Sequence, residues 1–393
     1  MTTSYINGLP MDRQRPLDPP DEIAAVRTHD PISPMTYPDG HEGWLVTSQH
    51  AARAVLASPS FSNLVAKMHS PVERPGVRDM NFEIPPGMFN RMDPPDHTRI
   101  RRMLTGQFTV HRMHALEPRI AKIAEDRLDE IEAAGPPTDL VTSFALPIPS
   151  LVICELLGIP QEYRGTFQQD SATMLNLDTP PEDINSAYLA LCQTLSSVVN
   201  GKRANPPDDI LGGLIAEGQL THEELVTIAM ILLVAGHETT ANMLALGTYT
   251  ILQHPDQRAA LLNDPAAAVE ELLRYLSIIH LGPVRSALRD VEIEGHLVRA
   301  GQCVTISVPG ANRDPEKFAD PDTLDVTRDA HGHVAFGHGI HQCLGQQLAR
   351  IEMRIGFTAL LRRFPSLRLA GGVRFRTRMT IYGVHTLPVA WDK

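Results

Sequence analysis

Cysteine is scarce in this chain: four in 393 residues. Cys154, Cys192, Cys303 and Cys343 are irregularly spaced, and there is no CxxC or CxxCH. That pattern excludes a disulfide framework, a zinc ribbon and covalent attachment of a cofactor through CxxCH, and it predicts reduced thiols in a cytoplasmic protein. For Cys154, Cys192 and Cys303 the expected role is that of a small buried hydrophobe. A long apolar run is also missing. The strongest, Leu225 to Gly236, falls well short of the roughly 20 residues that span a bilayer, and Glu238 follows it closely. Met1 to Pro10 lacks an apolar core flanked by basic residues, so neither a signal peptide nor an anchor is expected. Positive charge is in deficit, with 35 Lys and Arg against 46 Asp and Glu and a net charge of -11. This sets aside nucleic acid and an anionic membrane as main partners. No Gly/Ser linker, charge block, internal repeat or low-complexity tract divides residues 1–393, which predicts one domain and a monomer.

What is present is chiefly helical periodicity, with a minor β component. A strand is expected around Trp44-Leu45-Val46, followed by a helix capped by Ser48. Asp93-Pro94-Pro95 reads as a helix start with Asp93 as N-cap, the helix running to about Phe108. Ile120, Ile123, Leu128 and Ile131 mark one face of another helix, ended by Gly135-Pro136-Pro137. Residues 158–210, rich in Pro, Asp, Asn and Gln, predict only short and mobile helical pieces. Thr221-His222-Glu223-Glu224 is a capping box opening a helix that stops at His254-Pro255, on the order of 45 Å long. Short helices follow to about Leu276. The β signal lies in Val291-Ile293, Val304-Val308 and the tail from Val373 to Val389.

Cys343 differs from the other cysteines because its neighbours make sense together. In Phe336-Gly337-His338-Gly339-Ile340-His341-Gln342-Cys343-Leu344-Gly345, two glycines permit a tight turn with positive φ before a long amphipathic stretch. A helix N-terminus lowers a thiol pKa and favours the thiolate. Gly345 removes a side chain where the helix begins, and Phe336 can cover the sulfur. The arrangement suits a thiolate held still against a flat, bulky group. Zinc on His331, His333, His338, His341 and Cys343 is disfavoured, because their spacings match no usual zinc pattern. In mid-helix stands Ala235-Gly236-His237-Glu238-Thr239-Thr240. Its glycine costs about 1 kcal/mol relative to alanine and calls for a reason, either close helix packing or a functional one. His97 and Arg101 lie four apart on one helical face, and Glu271 and Arg274 one turn apart.

Taken together these segments resemble the cytochrome P450 family in its soluble bacterial, actinobacterial form, from about Asp93 to Gly345. The cysteine loop fills all the family's usual fixed positions, Phe336, Gly337, Gly339, His341, Cys343 and Gly345. The resemblance implies a mostly α fold with small β-sheets, a helical prism around a buried haem b, with Cys343 as the axial iron ligand. It implies haem contacts from Ala235 and Gly236, and propionate donors in His97, Arg101, Arg285 and His341. Glu238 would relay protons, and Thr239 would steady the dioxygen through its hydroxyl and an ordered water. His237 is given no catalytic role. Glu271-Leu272-Leu273-Arg274 matches the family's ExxR pair, locked to Arg328 and structural rather than catalytic. Leu324 stands where the family commonly has phenylalanine.

The reaction so implied is RH + O2 + 2e⁻ + 2H⁺ → ROH + H2O, an oxidoreductase acting on paired donors. No GxGxxG fingerprint is present, so electrons must come from outside, by resemblance from a ferredoxin and an NAD(P)H-dependent reductase. Arg99, Arg102, Arg350 and Arg354 are the candidate docking patch. Val65, Met68, Met88, Phe89, Met174, Leu177, Leu233, Val234, Ile279 and Ile381 are candidate cavity walls, mostly apolar, which predicts a lipophilic substrate such as a polyketide or other secondary metabolite. Two alternatives are an H2O2-dependent peroxygenase, against which the intact Glu238-Thr239 pair argues, and a non-enzymatic haem sensor.

Overall fold

A computed structural model of the protein describes residues 6–75 and 84–392, apart from the side chain at position 161. Residues 1–5 of the stretch read above for a signal peptide lie outside the described part. Contacts cluster into two compact units. One comprises Met1–Phe82, Ala266–Cys343 and Arg376–Tyr382; the other comprises Glu83–Pro265, Leu344–Phe375 and Gly383–Lys393. Because each unit takes three stretches of chain, no single cut separates them.

The first unit is built on a six-stranded sheet. Its order is Ile6–Asn7, Ile32–Thr36, Glu42–Val46, Cys303–Ile306, Val284–Ala287 and Phe61–Ser62. The expected strand at Trp44 is therefore real, and it pairs antiparallel with Ile32–Thr36 and parallel with Cys303–Ile306. A turn at Tyr37-Pro38-Asp39-Gly40 closes that hairpin, with the Gly40 amide donating to the Tyr37 carbonyl at 2.8 Å. One face buries Ile32, Val46, Val55, Phe61, Val304 and Ile306. Ser48 caps helix Gln49–Ala57 as expected, accepting from the Ala51 amide. The expected strand 304–308 is shorter than read. It ends at Ile306, because Ser307 turns the chain and accepts the Gly310 amide to cap helix Val308–Asn312.

The second unit is helical. The Thr221–Glu224 capping box is formed and opens a 32-residue helix, His222–Gln253. By length and composition this helix, among the described residues, is apolar enough to cross a membrane. Yet 72% of its most apolar window is buried inside the protein, as befits a core helix. Two expectations need correction. Asp93 is not the N-cap: helix Asp96–Gln107 begins three residues later, with Pro95 in the N-cap place, and the Asp93 carbonyl accepts the His97 amide at 3.1 Å. Residues 158–210 are not short pieces either. They hold helices Arg164–Leu175 and Pro181–Arg203, the latter 23 residues long. Its buried positions Ala187, Leu191, Leu195 and Val199 recur every fourth residue, and Pro181 occupies the first turn, where its missing N–H costs nothing.

Candidate active site

In the first unit a polar scaffold fixes the cysteine loop. Glu271 and Arg274 are both fully buried on helix Pro265–Leu276. Their forked pair closes at 2.6 and 2.8 Å. Burying such charges is costly unless every donor is used, and here they are. Arg274 also donates to the carbonyls of Asn312 and Pro321 at 2.8 and 2.9 Å, while Arg328 donates to Glu271 at 3.3 Å. Asn312 then accepts the Val334 amide through its side chain at 2.7 Å, just before the loop. The ExxR–Arg328 triad expected from the sequence is thus formed, and its network reaches the loop.

The loop itself turns on two glycines. Gly337 and Gly339 adopt φ of 70° and 72°. A Cβ on Gly339 would fall 2.5 Å from the Leu56 carbonyl oxygen, so neither the backbone angle nor the space admits a side chain. The Cys343 amide donates to the Phe336 carbonyl at 2.8 Å, closing the turn, and Cys343 is exposed. Phe336 is partly buried. Arg285, on strand Val284–Ala287, is buried and donates to Asn63 Oδ1 at 2.7 Å. The same Asn63 lies 3.4 Å from His341 Nδ1 through its amide nitrogen. An amide nitrogen only donates, so Nδ1 accepts and a neutral His341 carries its proton on Nε2. Asn63 was not foreseen from the sequence; nothing in its local pattern marks it, and only strand pairing brings it to Arg285.

The second unit holds the other predicted residues. His97 and Arg101 lie one turn apart on helix Asp96–Gln107, with His97 buried. Burial, and then the neighbouring Arg101 charge, push the His97 pKa down against the pull of Asp93, so His97 is neutral at pH 7. In the long helix Glu238 is buried, and Asn242 donates to its carbonyl at 2.8 Å. His237 packs edge-on against Phe167 with its Nδ1 2.8 Å from the Leu233 carbonyl. Thr239 Oγ1 donates to the Ala235 carbonyl at 2.9 Å, which leaves its lone pairs to accept. Although the helix is otherwise mostly buried, Ala235 is exposed and Thr239 half-exposed.

Gly236 has a packing reason beside the haem contact that the resemblance implies. A Cβ there would meet the Ile153 side chain of helix Pro147–Leu157 at 2.9 Å, so close helix packing favours the glycine. At Gly345 a Cβ would meet nothing within 4 Å, and φ is -84°, so neither packing nor strain demands glycine. The first unit's exposed thiol with Arg285 and His341, and the second unit's bare strip at Ala235 and Thr239, open Gly345 and His97–Arg101 pair, are each of a kind that suits a flat, iron-bearing group with two carboxylates. The residues fit haem.

Other expectations divide. Phe89, Leu177, Leu233 and Ile381 are buried, whereas Val65, Met68, Met88, Met174, Val234 and Ile279 are partly exposed and remain the wall candidates. The arginine patch is mostly spoken for: Arg99 pairs with Glu224, Arg354 with Glu117 at 2.7 Å, and Arg350 with Gln346 at 2.9 Å. Cys154 and Cys303 are buried as expected, their thiols pushed up to about 12 and about 11 by burial, while Cys192 is only partly covered.

The comparisons agree with this geometry. The Cytochrome P450 family model matches residues 266–378. The chain is 47% identical to Cytochrome P450 105C1 of a Streptomyces species over 96% of its length and 97% of that protein's. It is 43% identical to pentalenic acid synthase of Streptomyces avermitilis, over 98% of this chain and 97% of the other. The crystal structure of CYP105P1 in complex with filipin I superposes with a TM-score of 0.90 at 42% identity, covering 98% and 99% of the two chains. The chain belongs to the cytochrome P450 family. It has the P450 fold, a haem-iron cofactor and monooxygenase activity.

Proposed function

We propose that the protein acts on a lipophilic small molecule, hydroxylating or epoxidising a polyketide- or macrolide-like or other secondary metabolite. In this reading haem b is the cofactor, a ferredoxin with an NAD(P)H-dependent reductase supplies electrons, and residues 1–393 act as one domain. The observation that carries it is Cys343, an exposed thiol on a rigid glycine turn three residues before helix Gln346–Arg363. The names of similar proteins, pentalenic acid synthase and the filipin I complex, support the substrate class. Their coverage of nearly the whole chain supports the single domain.

When bound, haem supplies activation of O2 and transfer of one of its atoms to the substrate. Cys343 Sγ, as thiolate, would hold its iron, and Phe336, at the start of the same turn, would help to cover the sulfur. Cys303 is unsuited to that task, since it lies within strand Cys303–Ile306 with its thiol directed at the Lys67 carbonyl. His341 offers its Nε2–H to a propionate, and Arg285 offers the guanidinium that Asn63 orients. His97 and Arg101 take propionate oxygens from their shared helix face. Glu238 passes protons through its carboxylate. Thr239, its own proton held by the Ala235 carbonyl, accepts a hydrogen bond from water and so orients it.

The deciding experiment is the spectrum of the reduced, CO-treated protein. The wild type and Cys303→Ala should show the long-wavelength Soret band of thiolate ligation, and Cys343→Ala should lose it. A histidine-type spectrum unchanged by Cys343→Ala would sink the assignment. Turnover with ferredoxin and NADPH but not with peroxide alone, followed by product mass spectrometry, separates the monooxygenase from a peroxygenase or a sensor.

A further inference from the structure

Away from the cysteine loop, three side chains from distant parts of the chain converge in the first unit. His41 follows the hairpin turn, His69 lies just beyond the short helical turn Val65–Lys67, and Cys303 begins its strand. One potential ligand atom from each lies within 4.8 Å of the other two, and among the described residues no other group of three does so. The imidazoles of His41 and His69 stack at 3.7 Å with 3° between their planes. Asp39 sits 2.5 Å from His69 Nδ1, so that nitrogen carries a proton toward the carboxylate and, in the neutral ring, Nε2 is the one with the lone pair. His41 Nε2 points at the strand, accepting the Cys303 amide at 3.2 Å. The Cys303 thiol lies 3.5 Å from the Lys67 carbonyl, a weak bond at that length, and also meets the His69 backbone and the Ser286 side chain.

We infer that His41, His69 and Cys303 form a binding site for a zinc-type divalent cation, with Asp39 orienting His69 from behind. Two imidazoles and one thiolate are a ligand set that favours a borderline-soft ion over calcium or magnesium. A carboxylate on the far nitrogen of a ligating histidine is the usual second partner in such sites, fixing its tautomer and raising its basicity. Three protein ligands leave a fourth position to water, and His69 is 34% exposed, which gives the ion a route in. Closure requires the thiol to lose its proton, His41 to release the Cys303 amide so that its lone pair is free, the rings to splay from their parallel stack, and the ligand atoms to draw in by about 1 Å to tetrahedral separations. The bound ion would join the Ile32–Thr36/Glu42–Val46 hairpin, the segment at His69 and strand Cys303–Ile306. The site rests on none of the residues assigned to haem.

The test uses the haem-loaded protein dialysed against Zn²⁺, with metal analysis and zinc K-edge absorption. The expected result is one zinc per chain with a sulfur at about 2.3 Å and nitrogens at about 2.0 Å. Cys303→Ser should abolish the sulfur shell, and Asp39→Asn should weaken binding about 10-fold while keeping it. The CO spectrum, unchanged in both variants, certifies that they are folded. Less than one zinc per chain, a shell without sulfur, or equal affinity in Cys303→Ser would overturn the inference.

Discussion

Glu352 is buried on helix Gln346–Arg363, hydrogen-bonded to Thr240 of the long helix. Its Oε1 has no partner among the described residues. Burial pushes its carboxyl up to about 8 against the opposing pull of Thr240, so it is largely neutral at pH 7. The folded state keeps a proton that the unfolded chain releases above about 4.5. Its stabilising contribution is therefore complete below that pH and is lost as pH rises toward 8. Glu352→Gln, neutral throughout, should escape this loss. In chemical denaturation its stability relative to wild type should grow by on the order of 3 kcal/mol between about pH 5 and pH 8. A pH-independent difference would mean that the carboxyl is hydrated. Nothing in Ile351-Glu352-Met353 announces such a group, because a carboxylate in a helix is ordinarily a solvated face. Cys343 was legible for the opposite reason: its turn, glycines and following helix are all local in sequence. Asn63, His41, His69 and Cys303 gain meaning only through strand pairing, which no spacing reveals.

At the scale of elements, legibility followed apolar spacing and capping. The Thr221 box, the Ile120–Ile131 face and the Ser48 cap all carried strong local signals, and each formed as read. Helix Pro181–Arg203 was missed because its flanking prolines and acids outweighed a regular series of apolar positions. Those prolines are compatible with a helix start, and the series is what the core uses. Leu195 is the test of that packing, being fully buried in the middle of the series. Leu195→Ala should cost about 2–5 kcal/mol by leaving a cavity that its neighbours fill only in part. Urea denaturation followed by far-UV circular dichroism measures the loss. A cost below about 0.5 kcal/mol would show that this helix frays rather than packs.

The whole molecule is acidic, with a net charge of -11, and the donor proposed for it is a small acidic protein. Productive encounter then depends on local positive charge rather than on the overall field. Of the four arginines read as a docking patch, Arg99 and Arg354 are neutralised by Glu224 and Glu117, and Arg350 bonds within its own helix. Arg102 differs: it is exposed on helix Asp96–Gln107, and no carboxylate partner is found for it among the described residues. Its charge therefore projects into solvent, where it can steer an anionic partner without first breaking an internal pair. Arg102→Glu should raise the KM for ferredoxin about 3- to 10-fold while leaving kcat at saturating donor and the substrate-induced spin shift in place. The gap should narrow as ionic strength rises, since exposed charges are screened within about 10 Å at 0.1 M salt. Steady-state kinetics over a salt series checks both expectations. An unchanged KM at low salt would move electron entry to another face, and a fall in kcat alone would make Arg102 a structural residue of its helix rather than a docking one.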